Sequence, residues 1–373
     1  MNVLIYSHLF LPSVGGIEIV SATLAENLIK HGIRCTVVTN TPSELPDNFI
    51  YSVIRRPSLL EKITLVRKHD IIHSNGASLA FFFVAILLNK PFIWTHGGYQ
   101  VTCIDGLGWV DGEKAPLTPW ASYKFHIKRK GLISASLNFM KLIIRIIASK
   151  FVSKNIAITE WVSRRQVLPK QMVIYNPFPI TAFKDVKKMT KSNLYDFVFL
   201  GRLVSEKGVE TLLRAFALLI KDIGHENKKL LLIGDGDRRI QYEGLAQELG
   251  LLNNVLFAGK KTGKDLVNAL STSRIAVIPS EWEEPMGGVA LELMAAGKPL
   301  IVSKNGGLAE CVGDAALLFE NSNYLQLYEQ MKTLIEDTDL QVQLCSNADK
   351  QLERFEPAFL TQEYIFMYRS VLR

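Results

Sequence analysis

The chain has 373 residues, 48% of them hydrophobic, so it is long enough for two domains with separate cores and too apolar to be disordered. Its net charge of +7 points to anionic partners, among which nucleotides, nucleic acid and membrane surfaces stay open. Cys35, Cys103, Cys311 and Cys345 are scattered, with no Cys-x-x-Cys pair and no histidine at ligand spacing, which argues against a disulfide framework and against zinc and fits a reducing cytosol.

The N-terminus enters an apolar strand directly, Val3 to Tyr6, without a basic n-region, so no secretion signal is expected. The longest apolar run, Leu79 to Leu88, falls well short of the roughly 20 residues of a spanning helix. After the first strand, Pro12-Ser-Val-Gly-Gly16 leads into a helix over Ile17 to Lys30, with Ile17, Val20, Leu24 and Leu28 at helical spacing, and Ile33 to Thr39 is the next strand. A strand, glycine turn, helix and strand in this order belong to a parallel, doubly wound sheet. The Gly-x-Gly-x-x-Gly fingerprint of dinucleotide binding is missing, and the Gly15-Gly16 pair alone is compatible with a turn that simply needs glycine.

Asp70 to His73 and Pro91 to Thr95 read as two more buried strands, with a helix over Ala77 to Leu88 between them. The second runs into His96-Gly97-Gly98, at the carboxyl end where open α/β sheets place ligands, so His96 is a candidate to bond a sugar hydroxyl or developing charge; His73 reads as structural. Cys103 to Pro119 is a Gly- and Pro-rich loop of the length that often carries specificity. From Trp120 to Lys154 there are eight basic residues and no acidic one, while Met140, Ile143, Ile144, Ile147 and Phe151 keep helical spacing. This basic amphipathic segment suits either an anionic membrane interface or a core-facing helix with a solvated basic face.

Val173-Ile-Tyr-Asn-Pro-Phe-Pro179 breaks the pattern, and a Lys-rich polar stretch follows up to Asn193, which puts the domain boundary here. Asp196 to Leu200 is a strand, followed by Gly201-Arg-Leu-Val-Ser-Glu-Lys-Gly208 and a helix from Val209 to Ile220. A guanidinium fork and an ammonium at one strand end, Arg202 and Lys207, make a diphosphate clamp; the plainer alternative is a solvated Glu206–Lys207 pair. Leu230 to Ile233 is the next strand and ends in Gly234-Asp-Gly-Asp237, a superficial match to a metal-binding acid pair. With two cations available to neutralise a leaving diphosphate, no metal is required. Val255 to Gly259 and Lys264 to Ser271 supply a further strand and helix.

Ile275 to Ile278 is a strand, Gly287 and Gly288 a tight turn, and Val289 to Ala296 a short helix stopped by Gly297 and Pro299. Amides at such a helix start, those of Gly287, Gly288 and Val289, suit a phosphate. Glu284 and Glu292 bracket that seat and can accept hydrogen bonds from hydroxyls, so a ligand with phosphates in the middle and sugars at both ends fits the spacing. Either acid alone is equally explained as a dipole partner or a solvated side chain. Leu300 to Val302, the turn Gly306-Gly307 and two or three helical segments complete the chain; the last, after Pro357, offers Phe359, Tyr364, Ile365 and Tyr368 as an apolar face.

Pro-Ser, the Glu-x7-Glu pair and Met-Ala-Ala-Gly-Lys-Pro, together with Gly-Arg-x4-Lys-Gly, resemble the retaining nucleotide-sugar glycosyltransferases of the GT-B fold, family four. The resemblance spans essentially the whole chain and is strongest from Asp196 to Val312; it departs at Met286, where the family usually has Phe. It implies two Rossmann-like α/β domains facing a cleft, an acceptor-side domain over 1–175 and a donor domain over 176–356, with a closing helix over 357–373 that crosses back to the first. It further implies that Glu284 and His96 hold the transferred sugar, Glu292 the ribose, and Arg202, Lys207, Gly287, Gly288 and Val289 the diphosphate, with Gly15 and Gly16 bordering the phosphates.

The expected reaction is hexosyl transfer from a UDP- or GDP-sugar to a hydroxyl with retention, in surface polysaccharide or glycoconjugate synthesis, by positioning and charge stabilisation without metal or cofactor. The expected location is cytoplasmic, with peripheral contact of 120–154 with an anionic membrane and a sugar or lipid-linked acceptor. A non-catalytic nucleotide-sugar-binding subunit and a sugar-nucleotide epimerase are the alternatives. Nucleic-acid binding is disfavoured, because the surplus charge accompanies an apolar helix and no recognition motif.

Overall fold

The structure, a computed structural model, describes all residues except Val14, Leu45, Lys188, Thr190, Lys191, Ser192, Asn193 and Arg373. The end of the polar stretch expected up to Asn193 therefore lies outside the described residues, as does Arg373; its beginning forms a 3-10 turn, Ile180–Phe183, and a short helix, Lys184–Lys187. The chain divides into two compact units, one of Met1–Val110, Lys114–Pro179 and Phe355–Arg373, the other of Asp111–Glu113 and Ile180–Arg354.

The first unit is built on β1 (Asn2–Ser7), β2 (Arg34–Thr39), β3 (Ser52–Arg55), β4 (Ile71–Asn75) and β5 (Phe92–His96). A short ladder of β6 (Trp109–Val110) and β7 (Glu113–Lys114) interrupts them before β8 (Lys154–Ala157) and β9 (Gln171–Val173). The main sheet is parallel, in the order β3-β2-β1-β4-β5-β8-β9, with Val3 beside both Cys35 and Ile71. Both faces are covered, which is why β1 reads as an unbroken apolar run rather than an alternating one. Val3 and Ile5 pack with Leu24 and Leu28 of helix Gly16–Lys30 and with Tyr364 and Tyr368 of helix Pro357–Leu372; Leu4 and Tyr6 pack on the other face with Phe81, Trp94 and Ala148. The tie between the late helix and the sheet is explicit: His73 Nδ1 lies 2.7 Å from the Tyr368 hydroxyl and its Nε2 2.7 Å from Thr95 Oγ1. Burial pushes the His73 imidazole down to about 3, so it is a neutral hydrogen-bonding group.

Three local expectations for this unit need correction. The helix between β4 and β5 spans only Phe82–Leu87, because Ser78 draws the backbone into a turn, its carbonyl accepting from Ser74 Oγ and its own hydroxyl accepting from Ala80 N–H. The basic segment is two helices, Pro119–Lys130 and Leu132–Phe151, broken at Gly131 with φ of 78°. The longer one turns Ala135, Leu142, Ala148 and Ser149 inward, so it meets the core through a narrow face while most of its large apolar side chains, Met140, Ile143, Ile144, Ile147 and Phe151 among them, face solvent. By length and composition it is also apolar enough to cross a membrane, although Asn138, Lys141 and Arg145 interrupt any continuous apolar run. Phe359 is likewise exposed, while Tyr364, Ile365 and Tyr368 are buried.

The second unit carries β10 (Tyr195–Leu200), β11 (Leu230–Ile233), β12 (Val255–Gly259), β13 (Ser273–Ile278), β14 (Leu300–Ser303) and β15 (Ala316–Phe319), in the order β12-β11-β10-β13-β14-β15 and again parallel. Phe197, Leu230, Ile275 and Ile301 meet Leu212 and Phe216 of helix Val209–Leu219 and Leu327 and Met331 of helix Tyr324–Glu336 to form its core. In each unit the strand order reverses once, between β1 and β4 and between β10 and β13. The loops that leave the carboxyl ends of such neighbours diverge, and the crevice between them is where open α/β sheets bind ligands.

Candidate active site

In the second unit that crevice is bounded by the loops after β10 and β13, which carry Arg202, Lys207, Glu284, Gly287 and Gly288. The two loops are held against each other by Gly208: its φ is +67°, and a Cβ there would fall 1.9 Å from the Pro279 carbonyl oxygen. This approach lets Lys207 Nζ reach Glu284 Oε1 at 2.6 Å. Ser280 Oγ donates a very short hydrogen bond to the same oxygen, and Trp282 lies beneath the ammonium, 5.7 Å from it. The backbone of Glu284 is fixed as well, its carbonyl accepting from Gly307 N–H at 2.6 Å. Lys207 and Glu284 are both largely enclosed, so this is a charge-assisted pair in a low-dielectric pocket.

Arg202 behaves differently from its partner in the expected clamp. Its head is 66% exposed and donates from Nη2 to Glu206 Oε1 at 3.0 Å. The solvated Glu206–Lys207 pair is therefore not what forms: Glu206 is buried and holds Arg202, while Lys207 turns inward to Glu284. Each cation of the clamp rests on a carboxylate that an incoming phosphate would have to displace. Helix Gly288–Ala295 has no side-chain cap, leaving its first amides, those of Gly288 and Val289, at a half-buried surface. Gly287 is not part of that open set, because it is buried and its N–H is donated to Cys311 Sγ at 3.4 Å. Glu292, one turn in, is half-buried with no side-chain partner among the described residues, and desolvation pushes its carboxyl up to about 7. An acid kept near neutrality without a structural partner is what a hydroxyl-binding position looks like. Asp235, of the Asp-x-Asp pair, accepts from Gly236 N–H at 2.9 Å and lies 3.7 Å from Arg239, and among the described residues no three His, Cys, Asp or Glu side chains gather as a metal site.

The remaining candidates lie in the first unit. Gly16 opens helix Gly16–Lys30 with free space around it, but Gly15 is covered by the Glu18 carboxylate, whose Oε2 would sit 2.6 Å from a Cβ at that position. The acid, which also accepts from Ser13 Oγ at 3.2 Å, occupies the positive end of the helix, so Gly15 does not present an open phosphate seat in this state. His96, at the end of β5, is fully enclosed. Asn155 Nδ2 donates to the Ser149 and Pro169 carbonyls at 2.8 Å each, which fixes its Oδ1 as an acceptor for His96 Nε2 at 2.9 Å. Nδ1 must then be the unprotonated nitrogen, and it is buried without a hydrogen-bond partner among the described residues. Burial holds the ring at about 4, so His96 is a neutral acceptor rather than a cation.

Two doubly wound parallel units in one chain, each with a single switch point, make up the GT-B fold. Residues 181–351, which lie in this second unit, match the family model for glycosyl transferases group 1. It is 42% identical over 115 residues to an uncharacterized glycosyltransferase of Methanocaldococcus jannaschii, covering 31% of this chain and 28% of that protein. It is 32% identical over 195 residues to the lipopolysaccharide core biosynthesis glycosyltransferase LpsD of Rhizobium meliloti, covering 52% of this chain and 54% of the relative. These matches thus span about half of the curated relatives or less. Among solved structures, Anabaena HepE in complex with UDP and glucose superposes with a TM-score of 0.75 at 19% identity, over 99% of this chain and all of that one. WaaG, a glycosyltransferase involved in lipopolysaccharide biosynthesis, gives 0.68 at 16% identity over 97% and 98% of the two chains.

Proposed function

We propose that the protein transfers a hexosyl group from a UDP- or GDP-sugar to a hydroxyl of a sugar or lipid-linked acceptor, with retention, in surface polysaccharide or glycoconjugate synthesis. The observation that carries this reading is the enclosed Lys207–Glu284 pair at the switch point, beside the open amides of Gly288 and Val289 and the partnerless Glu292. The donor diphosphate takes Lys207 and Arg202 from their carboxylates and rests on the helix amides; Glu284, released, accepts from sugar hydroxyls, and Glu292 accepts from the ribose. The bond from the anomeric carbon to the diphosphate oxygen breaks as the acceptor oxygen bonds to the same face, and the acceptor proton passes to the departing phosphate. Lysine, arginine and fixed dipoles stabilise the negative charge that develops on the leaving group, and this is the main source of rate. His96 contributes a neutral lone pair for a ligand hydroxyl once the side chains enclosing it part. Support for a uridine donor comes from the fold relative HepE, which has been captured with UDP-glucose.

The test is a panel of UDP-, GDP- and ADP-sugars in thermal shift, followed by nucleotide release and product NMR with the donor that binds. One donor should raise the melting point and yield an α- or β-product of unchanged anomeric configuration. A donor that binds but is never turned over would instead indicate a binding subunit. Isomerised donor in the absence of acceptor would indicate an epimerase.

A further inference from the structure

Lys207 and Glu284 each have an uncharged contact besides one another. Glu284 Oε1 accepts from Lys207 Nζ and also from the Ser280 hydroxyl, four positions earlier in the same loop. Lys207 Nζ in turn lies 5.7 Å from the centroid of the Trp282 ring. An ammonium carries three N–H donors, and among the described residues Glu284 is the one protein acceptor that Lys207 meets. Trp282 is buried, and the chain on either side of it is pinned. Glu281 N–H donates to the Glu206 carbonyl at 2.9 Å, and the Glu281 carboxylate accepts from Thr211 Oγ1 at 2.7 Å. The Trp282 carbonyl accepts from Glu284 N–H at 3.1 Å and from Asn321 Nδ2 at 3.3 Å. The ring therefore keeps its place if Lys207 and Glu284 separate. Its Nε1 is buried with no hydrogen-bond partner among the described residues. An unpaired buried N–H is a cost that phenylalanine or leucine would not carry, so packing alone does not account for tryptophan here. Indole is the side chain whose face attracts a cation most strongly.

We propose that Ser280 and Trp282 are positioning residues that let the Lys207–Glu284 pair part on donor binding with neither charge losing its place. The assignment rests on the transferase reading above and adds two residues that act through Glu284 and Lys207. When the diphosphate becomes the counter-ion of Lys207, Glu284 loses its charged donor. The Ser280 hydroxyl stays on Oε1 and holds the carboxylate in its present orientation, while the lone pair that Lys207 vacates passes to a sugar hydroxyl. The ammonium loses its carboxylate at the same moment, and the Trp282 face goes on attracting it. That attraction consumes no hydrogen bond, so all three N–H donors are left for phosphate oxygens, whereas a second carboxylate in place of the ring would compete for them. The two residues thus serve different parts of the donor: Trp282, through Lys207, the diphosphate; Ser280, through Glu284, the sugar.

The test is equilibrium titration of the full chain and its variants with UDP and UDP-glucose, or with GDP and GDP-mannose where the guanosine pair is the one that binds. Trp282→Leu should weaken the bare diphosphate and its sugar alike, about tenfold. The same change made beside Lys207→Ala should weaken neither further, because the contact it removes is already gone. Ser280→Ala should leave the bare diphosphate unaffected and weaken the nucleotide-sugar about tenfold, with Ser280→Thr, which keeps the hydroxyl, close to the parent. Trp282→Phe retains an aromatic face and should stay within about threefold of the parent. Should Trp282→Leu fail to fold, that smaller loss must likewise vanish beside Lys207→Ala. Three results would overturn the assignment and leave the transferase reading standing: binding indifferent to Trp282→Leu, a Trp282 effect that persists undiminished without Lys207, or a Ser280→Ala variant that changes both ligands equally or neither. A parent that binds none of the four nucleotides overturns both.

Discussion

Replacing Glu292 by Gln should stabilise the protein and impair it at the same time. In the unfolded chain the carboxyl titrates near 4.5; in the folded unit desolvation holds it at about 7. Between these values the native state keeps a proton that the unfolded state has lost, so stability falls as pH rises through this window and the loss is complete above about 7. The shift corresponds to about 3 kcal/mol at pH 8. Gln removes the charge and keeps the shape, so the variant should melt several degrees higher than the parent at pH 8, about 2–4 °C per kcal/mol for a unit of this size, and at nearly the same temperature at pH 5. Nucleotide binding should move the other way. The ionised fraction rises from about one-tenth at pH 6 to about nine-tenths at pH 8, so the parent should bind UDP or its sugar about tenfold more tightly at pH 8. The glutamine variant should bind weakly and without that dependence. Differential scanning fluorimetry at both pH values, with and without nucleotide, reads all four numbers. An equal change in melting point at both pH values, or undiminished pH-dependent binding in the variant, would refute both the burial argument and the ribose assignment.

Lys207→Ala should lower turnover by two or more orders of magnitude, and because it leaves the buried Glu284 carboxylate without its cation it should also cost about 3 kcal/mol, seen in chemical denaturation. Arg202→Ala removes an exposed head whose pair with Glu206 is screened by solvent on one side, so turnover should fall with a smaller loss of stability than in Lys207→Ala, and the contrast between the two variants checks the different settings of the two cations. Gly208→Ala has neither the φ nor the space it needs and should destabilise by more than about 2 kcal/mol with loss of nucleotide binding, whereas Gly16→Ala, where the space is open, should leave nucleotide binding intact. Tyr368→Phe deletes the hydroxyl on His73 and should cost about 1 kcal/mol with donor binding preserved.

Much of the second unit's site was legible because its chemistry is local in sequence. Gly201 to Gly208 and Pro279 to Gly297 each follow a strand, and a parallel sheet delivers both to one edge. What could not be read was how the charges would be shared. Glu206 is next to Lys207 in the chain, yet a 3-10 turn over Ser205–Lys207 sends the two side chains apart, one to Arg202 and the other to Glu284, 77 positions away. The acceptor that the Cys311 sulfur supplies to the Gly287 amide comes from 24 positions downstream with no motif to announce it. Periodicity found the amphipathic helix at 132–151, but a stripe of Ile, Leu and Met gives the same pattern whether it meets a core or water; only the packing of Ala135, Leu142 and Ala148 decided which face turned in. The loss of a turn and a half from the helix before Asn89 likewise came from a single serine, whose hydroxyl competes with the helical ladder.

The bond between His73 and Tyr368 joins positions 295 apart, across the whole of Ile180–Arg354. As the chain leaves the ribosome, the second unit is contiguous apart from Asp111–Glu113 and can close on itself, while the sheet begun by Asn2–Ser7 waits with one face covered only in part, by Gly16–Lys30, until Pro357–Leu372 arrives. Assembly of the earlier-made half is thus finished by the later-made one. A nascent chain stalled after Arg354 would present Ile71, Ile93 and Leu24 to solvent, a natural target for chaperones.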